Sequence, residues 1–215
     1  QCNCVVTNMK IFLLLIFLEA LSLGSAILFL EPLWQNVSAV EKFEPKKFFN
    51  GSWYVTNILA ITPDLPKDVC EESYSILLED QTINHMIYSY RDIKGPPFSK
   101  RNCTIQLKDV DDHGKVPMQC QPDNSLVKFN WEVTILETDY DHFGVYYACI
   151  KAFGRQRIQV LNRDKDAEPT DPRIAESLKK LGLDLNTFTS RKNVNCREHP
   201  DVITDQLRIN IFRNK

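Results

Sequence analysis

Between Gly51 and Arg163 the chain alternates short β-branched and aromatic segments with turn residues, and that rhythm limits its fold more than any other feature. Ser52-Trp53-Tyr54-Val55-Thr56-Asn57-Ile58-Leu59 has the composition strands prefer, and Thr62-Pro63-Asp64-Leu65-Pro66 stops it. Segments of the same kind run over 73–78, 85–91, 98–108, 115–121, 126–138, 143–151 and 157–163. Their separators carry turn chemistry, as in Lys94-Gly95-Pro96-Pro97, Asp111-Asp112-His113-Gly114, Pro122-Asp123-Asn124 and Asp139-Tyr140-Asp141. About eight strands joined by hairpin-length connections predict an antiparallel sandwich or an up-and-down barrel, and not a βαβ fold.

After Asp164 the pattern changes. Pro169-Thr170-Asp171-Pro172 can cap and begin a helix. Ile174, Ala175, Leu178 and Leu181 then recur at helical spacing before Gly182. Such an amphipathic helix must bury its apolar face, and the outside of the β structure is the available surface. A last periodic stretch, 202–212, also reads as helical. No internal repeat or second core is visible, so one domain is expected. The 43% hydrophobic content of the 215 residues suffices for a core. A net charge of −2 with no basic run excludes a nucleic-acid binder, which needs a positive surface.

The first Met is Met9, so residues 1–8 read as upstream sequence. Lys10, the apolar run 11–18 and the small residues Gly24-Ser25-Ala26 predict a secretory signal over 9–26. A membrane anchor is the competing reading, but Glu19 interrupts the ~20 apolar residues a span needs. A segment 27–42 would then precede the folded domain, 43–215, and no membrane contact is expected after cleavage. Three glycosylation sequons, at Asn36, Asn50 and Asn102, agree with secretion. The cysteines after residue 26 are Cys70, Cys103, Cys120, Cys149 and Cys196. An odd count in an oxidising compartment leaves one thiol over. None has CxxC spacing, and no His stands near a Cys pair, so no metal site is expected.

The stretch Phe43-Glu44-Pro45-Lys46-Lys47-Phe48-Phe49-Asn50-Gly51-Ser52-Trp53-Tyr54-Val55 resembles the opening of the salivary lipocalins of blood-feeding bugs, the triabin, pallidipin and nitrophorin group. Gly51-Ser52-Trp53 matches the lipocalin GxW, and Val160-Leu161-Asn162-Arg163-Asp164-Lys165-Asp166 resembles the end of the last barrel strand. The match runs with gaps from about Phe43 to Cys196. It implies an all-β fold: an eight-stranded antiparallel lipocalin barrel, with the C-terminal amphipathic helix packed outside. It also implies that Trp53 plugs the closed end with Arg163 over its indole, a contact of ~0.5–2 kcal/mol. By the same resemblance Cys70 pairs with Cys196 and Cys103 with Cys120. The family partner of Cys149 lies in the N-terminal segment, where no cysteine occurs between Ala26 and Cys70. Cys149 is therefore expected as a buried free thiol, with an intermolecular bridge as the alternative.

The haem-binding branch holds iron through the His of a Tyr-His-Tyr stretch. Here the residues are Tyr88-Ser89-Tyr90, and a hydroxyl is a poor iron ligand, so no haem and no other cofactor is expected. His85 shares strand parity with Ser89 but lies about 13 Å along the strand. No GxSxG, HExxH or phosphate-binding Gly loop occurs, which argues against an enzyme. If Ser89 faces inward, then His85, Ile87, Ser89 and Arg91 line a cavity. Trp131 and Val133, or their opposite-parity neighbours, would join them. Arg91 could pair with a carboxylate ligand. Asn57 is uncharged where amine-binding relatives carry an acid, which favours apolar or anionic ligands over amines.

The expected function is that of a secreted salivary protein that sequesters a small host mediator, eicosanoid- or fatty-acid-like, and so impairs haemostasis or inflammation. A monomer is expected. The rival is a protein-binding inhibitor whose loops block a clotting protease or platelet activation. An open apolar cavity favours the first reading, and a tightly filled barrel with an apolar surface patch favours the second. A storage or allergenic lipocalin with no specific target is the third.

Overall fold

The computed structural model describes residues 39–61, 69–92, 94–150 and 155–213, without the side chains of 208–213. Eight antiparallel strands form a closed barrel: β1 (Gly51–Ala60), β2 (Glu71–Leu77), β3 (Thr82–Tyr90), β4 (Phe98–Gln106), β5 (Lys115–Pro122), β6 (Phe129–Thr138), β7 (Phe143–Ile150) and β8 (Arg155–Asn162). Each strand pairs with the next, and β8 returns to β1, for example through Tyr54↔Asn162 and Ala60↔Arg157. Closure leaves the ring no unpaired edge. The opposite edge of β1 is shared. Gly51–Tyr54 pair with β2, and Asn57 and Ile58 pair with a ninth strand outside the ring, β9 (Thr189–Ser190).

Among the described residues three α-helices cover the barrel. The short α1 (Pro45–Phe48) crosses its closed end. The predicted amphipathic helix is α2 (Pro172–Lys179), capped by Asp171, whose side chain accepts from the Arg173 N–H. It packs Ile174 and Leu178 on the outer faces of β6, β7 and β8, against Leu136, Phe143, Val145, Tyr147, Ile158 and Val160. The tail forms α3 (Asp201–Arg213), which lays Val202 over Met86 and Tyr88 on the outside of β3. No described helix is long and apolar enough to cross a membrane.

Those coverings explain why several strands are apolar on both faces. In β7, Phe143, Val145, Tyr147 and Cys149 face α2, while Tyr146 and Ala148 face the interior. A β-bulge in β1, between Val55 and Asn57, resets the alternation. Trp53, Val55 and Ile58 therefore all belong to the interior cluster.

The closed end is built around Trp53, which is 1% exposed. Its indole N–H donates to the Phe48 carbonyl at 2.7 Å, so α1 is fixed to the plug it covers. The Arg163 guanidinium lies 3.6 Å from the indole centroid. Gly51 adopts φ +77, the left-handed turn that leads from α1 into β1 and that glycine tolerates.

Two disulfides lie among the described residues, Cys70–Cys196 and Cys103–Cys120. The expectation of a free thiol at Cys149 is corrected, because that cysteine is also disulfide-bonded and its partner lies outside the described residues. The elimination that left it free counted only the cysteines after residue 26. Asn50 and Asn102 are exposed, whereas Asn36, the signal expected over 9–26 and most of 27–42 lie outside the described residues.

Candidate ligand site

The interior has an apolar floor and a charged upper layer. Phe48, Phe49, Trp53, Ile87, Met118, Val133 and Leu161 line the floor together with His85 and Ser73, leaving a space of only about 10 Å³. That is room for about one water, far below the roughly 300 Å³ at which small-molecule pockets begin. An open polar groove of about 600 Å³ lies outside the barrel, between Tyr54, Glu72, Arg191 and Glu198.

Above the floor stands Glu71, the first residue of β2 and 2% exposed. Its Oε1 accepts from Arg157 Nη2 at 2.9 Å and from Gln159 Nε2 at 3.3 Å. Its Oε2 accepts from Arg101 Nη2 at 2.6 Å, from Arg157 Nη1 at 3.3 Å and from Ser89 Oγ at 3.3 Å. Both guanidiniums also lie over the Trp131 ring, at 5.0 Å for Arg101 and 5.2 Å for Arg157. Burial alone would raise the Glu71 pKa. Arg157, then Arg101, then the Gln159 hydrogen bond outweigh it and hold the carboxyl down at about 2.

His85 is the other titratable group at this depth. Its Nδ1 pairs with Ser75 Oγ at 2.7 Å, and its ring meets Phe49 edge-on. Burial lowers its pKa to about 4 against the pull of Glu71, so the imidazole is neutral at pH 7. Tyr146 is buried beside Arg157, and burial pushes its phenol up. Among the described lumen side chains, two cations thus face one carboxylate.

The residues singled out in the sequence are brought together unequally. His85, Ile87, Trp131 and Val133 line the residual space, and Ser89 joins the charged layer through Glu71 and Arg101. Arg91 lies one residue beyond β3, is half-buried, and is not among the side chains lining that space. Arg101 and Arg157 bring the positive charge inward instead. Sequence reasoning missed them along with Glu71 and Gln159. The signal for Arg101 was its parity with Cys103 and Ile105, both fully buried. The segment 155–162 misleads, since Ile158 and Val160 look like the inward set. They face α2, and Arg157, Gln159 and Leu161 point into the barrel.

An antiparallel ring of eight strands, sealed at one end by a Trp–Arg stack, defines a lipocalin. The nitrophorin family model matches residues 34–205, and the chain belongs to that family. Triafestin-1 of Triatoma infestans is 29% identical over 212 residues, covering 89% of this chain and 96% of the relative. By structure the chain is similar to the tryptamine complex of the amine binding protein of Rhodnius prolixus. There the TM-score is 0.71 at 20% identity, over 80% of this chain and 93% of that one. It is also similar to a leukotriene C4 complex of LTBP1, with TM-score 0.51 at 18% identity over 74% and 91% of the two chains.

Haem, which the family name suggests, does not fit these residues. Ser89, where the resemblance in sequence puts the iron-binding His, offers only a hydroxyl and is engaged by Glu71 and Arg101. The one inward imidazole, His85, is held by Ser75 within the packed floor. Among the described residues no cluster of His, Cys, Asp or Glu is placed to hold a metal ion.

Proposed function

We propose that this protein is a secreted salivary binding protein, not an enzyme, which sequesters a small anionic amphiphile of the host, of the fatty-acid or eicosanoid class, and so impairs haemostasis or inflammation. The observation that carries this reading is the charge of the lumen. Among the described residues, the Arg101 and Arg157 guanidiniums meet at Glu71 above an apolar floor, and His85 adds no charge at neutral pH. An anionic headgroup can take the donors that converge there, and an acyl chain would find an apolar lining once the floor side chains, which now leave about 10 Å³, give way. An amine of the kind bound by the Rhodnius protein would instead have to take Glu71 from two guanidiniums, at 2.6 and 2.9 Å. The leukotriene C4 complex of a similar fold and the exposed sequons at Asn50 and Asn102 support the same reading.

Calorimetric titration with arachidonate, its methyl ester and tryptamine tests the proposal. Arachidonate is expected to bind with micromolar or tighter Kd, and the ester at least about tenfold more weakly, since the ester forms no charge-assisted pair. Tryptamine binding more tightly than arachidonate would overturn the reading.

The small interior space favours a second reading, in which the protein acts on a clotting or platelet protein through its surface. Leu126 and Val127, in the loop between β5 and β6, are 96% and 64% exposed. Inhibition of clotting in plasma that the double variant Leu126→Asp, Val127→Asp abolishes, with no binding of any of the three small ligands, would establish this alternative.

A further inference from the structure

We propose that Glu71 is a built-in occupant of the anion seat: its carboxylate stands where the headgroup of a bound anion goes and sets how strongly that anion must bind to displace it. The inference rests on the lumen-binding reading above and gives its specificity a residue.

Five donor contacts, from Ser89 on β3, Arg101 on β4 and Arg157 and Gln159 on β8, converge on this one carboxylate. Trp131 on β6 offers a ring face to both guanidiniums and so keeps them aimed at a common point. That is the geometry of a carboxylate receptor, fixed by strands and independent of which carboxylate fills it. A cluster of three buried charges is a poor source of stability, because desolvating them offsets most of their attraction, and apolar side chains of similar volume do as well or better. Two more buried groups beside it, the Trp131 indole N–H and the Gln159 amide oxygen, have no hydrogen-bond partner. The site therefore holds more polar capacity than Glu71 uses.

Glu71 is also the movable member. Its backbone is held by pairing with Ser89 and by the Tyr90 N–H bond to the Cys70 carbonyl, so a rotation of the side chain alone vacates the seat while the ladder stays paired. The floor below it leaves only about 10 Å³, so a ligand chain enters only when this layer opens and the floor side chains also shift. An incoming carboxylate that takes over the two guanidiniums replaces the charge Glu71 withdraws, whereas an uncharged lipid replaces none of it. Selection for anions follows from that exchange.

The test compares wild type with Glu71→Gln in titrations with arachidonate and its methyl ester, the fold being checked by circular dichroism. Removing the internal competitor should tighten arachidonate binding about tenfold or more while shifting the ester less than about threefold. Equal or weaker arachidonate binding by a folded Glu71→Gln protein would overturn the inference. The variant Glu71→Ala gives a readout that survives a loss of stability. Acetate should raise its Tm more than chloride at equal ionic strength does, and it should leave wild type unmoved. Equal effects of acetate and chloride on Glu71→Ala would also overturn the inference. Wild-type affinity reports separately on the proposed function. Binding by Glu71→Gln alone supports the seat and overturns the natural ligand class, whereas strong wild-type binding that Glu71→Gln does not improve does the reverse.

Discussion

Arg163 donates to the carbonyls of Lys47, Phe48, Asn50, Ser52 and Tyr140 while lying flat on Trp53. Burial lowers its pKa to about 10, against Asp141 and Asp139, so it remains a cation at neutral pH. A lysine at this place keeps the charge but neither the plane that covers the indole nor the fork that reaches three chain segments. Arg163→Lys should therefore lower unfolding free energy by about 2–4 kcal/mol in urea titrations. His85 makes the second argument at this scale. Its pKa is about 4 in the folded barrel against a usual 6.5, so between those values the unfolded chain binds more protons. Stability is then unaffected above pH 6.5 and falls as the pH drops towards 4, by at most about 1.4 kcal/mol per pH unit. Glu71 continues the loss from its usual 4.5 down to about 2, where its carboxylate is protonated and its contribution ends. Denaturation midpoints from pH 7.5 to 4 should show the first decline, and His85→Gln should flatten it.

At the scale of elements, the outer coverings decide what can be read from the chain. All eight barrel strands and α2 follow from alternation, turn residues and the Asp171-Pro172 start, because those signals are local. The lumen is less legible. α2 buries the outer faces of β6 to β8, so apolar parity there marks the wrong side, and the inward Arg157 and Gln159 pass for solvent-facing residues. Glu71 stays hidden for another reason. It neighbours Cys70 at the very start of a strand, and its cationic partners lie 30 and 86 residues away. α3 depends on polar contacts more than α2 does. Val202 is buried, but Ile203 and Leu207 are 61% and 59% exposed. Asp205 meets Lys100 Nζ at 2.6 Å and accepts from the Tyr88 hydroxyl at 2.9 Å. Asp205→Ala should release this helix locally, at a cost of about 1–3 kcal/mol. Amide exchange should accelerate in 201–207 while β3 and β6 keep their protection; equal acceleration throughout would show instead that the helix and barrel unfold together.

Over the whole molecule, the two described disulfides act on very different lengths of chain. Cys103–Cys120 joins neighbouring strands across 17 residues, in register with the ladder of β4 and β5. Cys70–Cys196 spans 126 residues and so encloses β2 to β9 and both outer connections in one loop, tying the tail to the entry of β2. Cys70 sits next to Glu71, so this bridge also anchors the strand end that carries the lumen carboxylate. Loop-closure entropy assigns about 3 kcal/mol to the short loop and about 5 kcal/mol to the long one. The ring itself is complete without either bond, since every barrel strand is paired on both sides by its neighbours. Cys70→Ser with Cys196→Ser should therefore leave a folded barrel with a lower denaturation midpoint, and a larger loss than Cys103→Ser with Cys120→Ser. If Glu71 is positioned by that anchor, the first pair of substitutions should also change arachidonate affinity, while the second leaves it unaltered. Equal stability losses with unchanged affinity in both would show that the long bridge secures the tail alone.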